Sequence, residues 1–98
     1  GIELTVITTP VPQETLDKFA GSYAQSHQYF KDLLEGWGLE YYNFNYMKPD
    51  LMDRSMEGYW DYDGHMDGIK AQEFSTLLGR FLGSLDQGNL KYGDYFIN

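Results

Sequence analysis

Between Leu16 and Trp37 the apolar side chains fall three and four residues apart, at Leu16, Phe19, Tyr23, His27, Phe30, Leu33, Leu34 and Trp37. That spacing places them on one face of a helix, and a helix with one apolar face must lay it against another layer. Its start is set by Pro10 and Pro12, which cannot join a β-ladder. A helix beginning near Gln13 is expected, capped by Thr9 or a neighbour, with Glu14 in the first turn where the helix dipole favours an acid. Its end is expected at Gly36-Trp37-Gly38, because glycine enters the left-handed cap conformation without a Cβ penalty. A second helix of the same kind is expected from about Ile69 to Leu85, with Phe74, Leu77, Leu78, Phe81, Leu82 and Leu85 on its apolar arc and a stop at Gln87-Gly88.

Around these helices the period changes from 3.6 to 2. Residues 2 to 8, IELTVIT, are apolar or β-branched on both faces, as in a strand at the middle of a sheet. Leu39 to Met47 alternates, with Tyr42, Phe44 and Tyr46 on one side and Tyr41, Asn43 and Asn45 on the other. After a break at Pro49, the run from Met56 to Tyr62 alternates again. It sets Met56, Trp60 and Tyr62 on one face and Tyr59, Asp61 and Asp63 on the other, so that the two runs read as a hairpin. LKYGDYFI reads as a last short strand. The order β-α-β-β-α-β is that of ferredoxin-like α+β sandwiches: a four-stranded antiparallel sheet with two helices side by side on one face. Small residues recur every four positions at Ala71, Ser75, Gly79 and Gly83, and at Ala20 and Ala24, which would let the two helices approach closely. The other use of such a stripe is a homodimer contact.

A chain of 98 residues suits a single α+β domain over 1–98, large enough to fold without a staple. It has no cysteine, hence no disulfide framework and no thiolate, in keeping with a cytoplasmic location. No apolar run approaches the roughly 20 residues that span a bilayer, so no membrane role is expected. Seven Lys and Arg against fifteen Asp and Glu give a net charge of −8. That balance repels a phosphate backbone, so direct nucleic-acid binding is not expected, and it favours a basic protein partner.

The stretch Asp61 to Gly68, DYDGHMDG, is the one that resembles a metal loop. Counted from Asp61, a calcium loop would need an oxygen ligand at His65, a glycine at Met66 and a bidentate acid at Gln72, and all three fail. Zinc would need a second histidine or a thiolate, and the only other histidine, His27, belongs to the apolar stripe. No metal and no cofactor are expected. Gly64 and Gly68 suit turns instead, and Asp67 or Gly68 suits the cap of the helix that follows. Nucleophile elbows and phosphate loops are absent, and Gly79 and Gly83 lie inside a helix rather than after a strand. No catalytic residue is named, and the chain reads as a non-enzyme.

From Asp50 to Asp67 there are six acids and one base, Arg54, interleaved with Met52, Met56, Tyr59, Trp60, Tyr62 and Met66. Large rigid side chains in a negative field are the makeup of a protein-binding patch. The expected partner-binding residues are Asp50, Asp53, Tyr59, Asp61, Asp63 and His65. The function read from this is a small inhibitor or immunity-type protein that masks a basic, nucleic-acid-binding surface of a larger protein, with carboxylates standing in for phosphates. The alternative is a homodimeric α+β barrel enzyme or small-ligand carrier with a pocket near His27. An RNA-recognition sheet using Tyr41, Tyr59 and Tyr95 as stacking platforms is disfavoured by the charge.

Overall fold

The first and second strands pair directly and in parallel. The computed structural model describes residues 3–97. In chain order it contains strand β1 (Thr5–Thr8), helices α1 (Gln13–Lys18) and α2 (Ala20–Gly36), strand β2 (Glu40–Asn43), helix α3 (Gly68–Asp86), and 3₁₀ turns at Phe44–Tyr46 and Tyr92–Asp94. β1 lies beside β2 with Thr5 opposite Glu40 and Thr8 opposite Asn43. Ile2 of the expected first strand lies outside the described residues.

Strand alternation assigns each helix its own face of this sheet. Tyr41 and Asn43 point to α2, where Nδ2 of Asn43 lies 3.2 Å from Nδ1 of His27 and the Tyr41 ring stands 5.8 Å from the imidazole. Tyr42 points the opposite way, its ring 4.8 Å from Phe81 of α3. The core is built on this second face. Phe44, Met47, Met52, Phe74, Leu77, Phe81 and Phe96 form one buried cluster, with Ile7 and Tyr42 of the sheet packed against it. Phe44 stands edge-to-face against Phe74, Phe81 and Phe96 at 5.2 to 5.4 Å, the geometry that aromatic quadrupoles favour. Each ring so buried contributes about 1.5–3 kcal/mol through burial of apolar area.

The four-stranded antiparallel, ferredoxin-like sheet is therefore not the architecture. Among the described residues the chain is α+β with a two-stranded parallel sheet and three α-helices. A split β-α-β sheet needs a further strand inserted between its parallel pair, and the run from Met56 to Tyr62 does not supply one. The strand expected over Leu39–Met47 stops at Asn43, whose side chain accepts the Asn45 backbone N–H at 2.9 Å and turns the chain into the 3₁₀ turn. The final strand is reduced to one antiparallel bridge, Phe96 to Met47.

The long apolar stripe is real but only partly used. The helix breaks at Phe19 (φ −117, ψ 33), and of its stripe Leu16 and Leu34 are buried while Phe19, Phe30 and Trp37 are exposed. The small-residue stripes do not join two helices: Ala20, Ala24, Ala71, Ser75, Gly79 and Gly83 are all exposed, and a Cβ built on Gly79 or Gly83 would meet nothing within 4 Å. The caps at Gly38 (φ 77) and Gly88 (φ 74) follow expectation, as does Asp67, whose carboxylate accepts the Lys70 N–H at 2.8 Å. The first helix starts after Pro12 without a side-chain cap, in place of the expected Thr9. Among the described residues no helix is long and apolar enough to cross a membrane.

One buried side chain ties the non-helical segments together. Arg54, 6% exposed, donates through Nε and Nη2 to the Val11 carbonyl (3.0 and 2.7 Å), through Nη1 to the Asn45 carbonyl (2.7 Å), and through Nη2 to Asn45 Oδ1 (3.1 Å). Its backbone carbonyl accepts the Gln13 N–H at 2.9 Å, which fixes the start of α1. Replacing Arg54 by Ala strands two buried carbonyls and opens a cavity, so a loss of about 3 kcal/mol is expected in urea unfolding. A midpoint shift corresponding to less than about 1 kcal/mol would show that these bonds do not hold the fold.

Candidate functional site

The segment 58–67 folds back on itself as a short hairpin. Gly58 accepts the Asp67 N–H at 2.7 Å, Tyr59 bridges Met66, and His65 accepts the Trp60 N–H at 2.6 Å. At the tip the Asp61 carboxylate organises the turn. Its Oδ1 accepts the N–H groups of Asp63 (2.9 Å) and His65 (3.2 Å), and its Oδ2 lies 2.6 Å from His65 Nδ1. Desolvation pushes the Asp61 carboxyl up, but the two N–H donors and the imidazole outweigh it and hold the group below its ordinary range. Gly64 completes the turn at φ +100, where a Cβ would sit 3.3 Å from Cα of Val11. The tip is anchored to α1 by the Thr15 hydroxyl, which donates to the Tyr62 carbonyl at 2.7 Å.

The hairpin divides the rings of the expected contact patch between interior and surface. Tyr59 is 8% exposed, with its hydroxyl 3.4 Å from the Pro10 carbonyl, whereas Trp60 and Tyr62 are 75% and 58% exposed. Tyr59, expected among the partner-binding residues, is therefore part of the interior, and the rings on the surface are Trp60 and Tyr62 of the opposite alternating set. Tyr59 is drawn in beneath the Pro10–Pro12 loop, which Arg54 holds and whose Pro10 carbonyl faces the Tyr59 hydroxyl. Burial pushes the Tyr59 hydroxyl up, with nearby Arg54 opposing. The available signal was the pair Gly58 and Gly64, which marks a tight hairpin rather than one strand of a larger sheet.

Of the other expected contact residues, Asp61, Asp63 and His65 are brought together at the tip, and the His65 side chain is 74% exposed. Asp53 is exposed. Its carboxylate accepts the N–H and hydroxyl of Ser55, bonds that hold it below the usual carboxylate range, and its backbone carbonyl accepts from Lys70 Nζ at 2.6 Å. Lys70 in turn runs beneath Gly58, whose added Cβ would meet its side chain at 2.8 Å, so Asp53 is fastened to the base of the hairpin. Asp50 is exposed in the preceding turn, and among the described residues no hydrogen bond or ion pair links it to the hairpin. Met52 is buried in the core, and Met66 packs against it half-buried.

His27 has a partner that its sequence position did not reveal, Asn43, and is enclosed by Tyr41 and by Tyr46 at 5.0 Å. Burial, and then Lys31, push the imidazole below its ordinary value. Neither the cleft between the strands and the end of α3 nor the one beside Leu51 and Arg80 includes His27 in its lining. Tyr41, Tyr59 and Tyr95 do not share an open sheet face: Tyr41 faces α2, Tyr59 is buried, and Tyr95 stands against Phe81. Among the described residues no three His, Cys, Asp or Glu side chains are grouped to hold a metal ion. No family model, no curated protein and no solved structure matches the chain.

Two outcomes follow from the turn. Because the Asp61 carboxyl is lowered in the folded hairpin, its contribution is present above the ordinary carboxyl range and is lost as pH falls through the folded value. The amide resonances of Asp63 and His65 are expected to move together on acidification from about pH 5 to about pH 2, whereas Asp61→Asn should remove that shared step. Gly64→Ala should destabilise by about 1–2 kcal/mol, from positive φ and the approach to Val11; an unchanged thermal midpoint would contradict this geometry.

Proposed function

We propose that the hairpin is the contact surface of a non-enzymatic binding module that covers a basic surface of a partner protein. The observation that carries the reading is a charge imbalance produced by burial. Arg54 and Lys70, the Lys and Arg residues of the segment from Asp50 to Lys70, are 6% and 5% exposed and turn inward, Arg54 to the Val11 and Asn45 oxygens and Lys70 to the Asp53 carbonyl and the Glu73 carboxylate, while Asp50, Asp53, Glu57 and Asp63 stand exposed and Asp61 is partly so. A partner meeting this face finds carboxylates, two aromatic rings and the His65 imidazole, with the Arg54 and Lys70 head groups turned away.

The physical roles divide accordingly. Trp60 and Tyr62 supply large contact area with few rotatable bonds, on a backbone that the Asp61 turn already fixes. Asp63 and Asp53, with the overall charge of −8, steer the approach of a basic surface. A surface that binds nucleic acid is of this kind, and carboxylates at the hairpin would occupy the place of phosphates; the inhibitor or immunity-type role is the form of the proposal that fits best.

Asp61 is not the residue to reverse, since its carboxylate builds the turn. Trp60→Ala and Asp63→Lys leave the hydrogen bonds of Asp61 in place. With the partner recovered by affinity capture from the native host, calorimetry should show Trp60→Ala weakening binding by about 2 kcal/mol or more. Asp63→Lys should slow association and flatten its salt dependence. Binding unchanged by both substitutions would remove the hairpin from the interface.

A further inference from the structure

At the start of the sheet, the end of β1 away from the hairpin, a cleft of about 750 Å³ opens between the strands and the last turn of α3. Alternation along the strands places Glu3 and Thr5 on the face of Ile7, and Glu40 on the face of Tyr42, which is the face that α3 covers. Glu3 and Glu40 thus look into the cleft from the sheet, Asp86 lines it from the helix, and Leu82 and Leu85 form an apolar wall. Among the described residues no lining residue is basic, and the last turn of α3 carries no basic residue to offset the negative end of its dipole. Burial, and then the Glu40 carboxylate, push the Tyr42 hydroxyl up, which reports the same negative field.

A second feature adjoins the cleft. Among the described residues β1 has β2 as its only hydrogen-bonded strand neighbour, although TVIT is the composition of a strand with a neighbour on each side. Leu4 and Thr5 belong both to the cleft lining and to the start of this open edge. An extended chain added along β1 would pair its backbone with the edge and direct alternate side chains toward α3. A second copy of this chain suits the place poorly, because it brings a net charge of −8 and has no cation between Glu3 and Thr9.

We propose that the free edge of β1 takes an extended basic segment of a partner protein as an added strand, with a lysine or arginine side chain seated between Glu3, Glu40 and Asp86. This site stands apart from the hairpin and does not rest on its role. The apolar stems of such side chains suit Leu82 and Leu85, while the charged heads reach the carboxylates. Backbone pairing makes the site tolerant of sequence, and the cleft selects charge at alternate positions.

The test is an amide-resolved NMR titration of the full chain with an amidated heptapeptide of alternating lysine and valine. The amides of Thr5 to Thr8 and of Glu40 should shift on addition, and Glu40→Lys with Asp86→Lys should weaken binding by about tenfold or more. The same peptide N-methylated at alternate residues cannot pair with an edge, so on the unaltered protein it should fail to shift β1. Spermidine, a free polycation, should also leave the β1 amides unmoved, and Asp63→Lys should leave peptide affinity unchanged. The proposal is overturned if the peptide does not move the β1 amides, or if the methylated peptide or spermidine reproduces the shifts. It is equally overturned if those amides move with protein concentration alone, which would assign the edge to a second copy.

Discussion

A buried guanidinium bonded to backbone carbonyls holds the irregular half of this protein together. Arg54 donates to the Val11 and Asn45 carbonyls and the Asn45 side chain, so it joins the loop before α1, the 3₁₀ turn after β2 and its own segment at one buried point. Burial pulls its proton affinity down, with Tyr59 and Asp17 opposing, but a guanidinium starts so high that it stays charged. The planar fork is what the place requires: one lysine could not reach three acceptors in these directions. Because the Pro10–Pro12 loop is held there, the Val11 backbone can lie against Gly64 and the Pro10 carbonyl can face Tyr59. The hairpin therefore inherits its position from Arg54.

The second organising feature is a sheet too small to have an inside and an outside. With two strands, each face receives one helix: the α2 face is a polar and aromatic contact through His27, Asn43 and Tyr41, and the α3 face holds the apolar core. Much of the apolar stripe on α2 is left in solvent as a result, since one short strand cannot cover a helix from Ala20 to Gly36. The same economy leaves β1 with an open edge.

Charge is distributed by burial more than by composition. The chain has seven basic residues, yet Arg54 and Lys70 are drawn inward to backbone carbonyls, and Asp50, Asp53, Glu57 and Asp63 stay outside. A segment with a mixed sequence thereby exposes its acids and buries its Lys and Arg.

The helices, their glycine ends and the Asp67 cap were legible in the sequence, because those features depend on neighbours three or four residues away. The net charge is read directly from the composition. The strand partners and the outward face of the hairpin were not. Period-two alternation states that two sets of side chains face opposite ways but not which set faces the core, and the long-range contact of Tyr59 with Pro10 goes with Trp60 and Tyr62 outside. Likewise, Asn43 and Asn45 read as one face of a strand until the Asn43 side chain takes the N–H that a ladder would have used. Local sequence thus determined where the chain turns and coils, and tertiary contact alone decided which strands meet and which rings see water, because those choices rest on groups far apart along the chain.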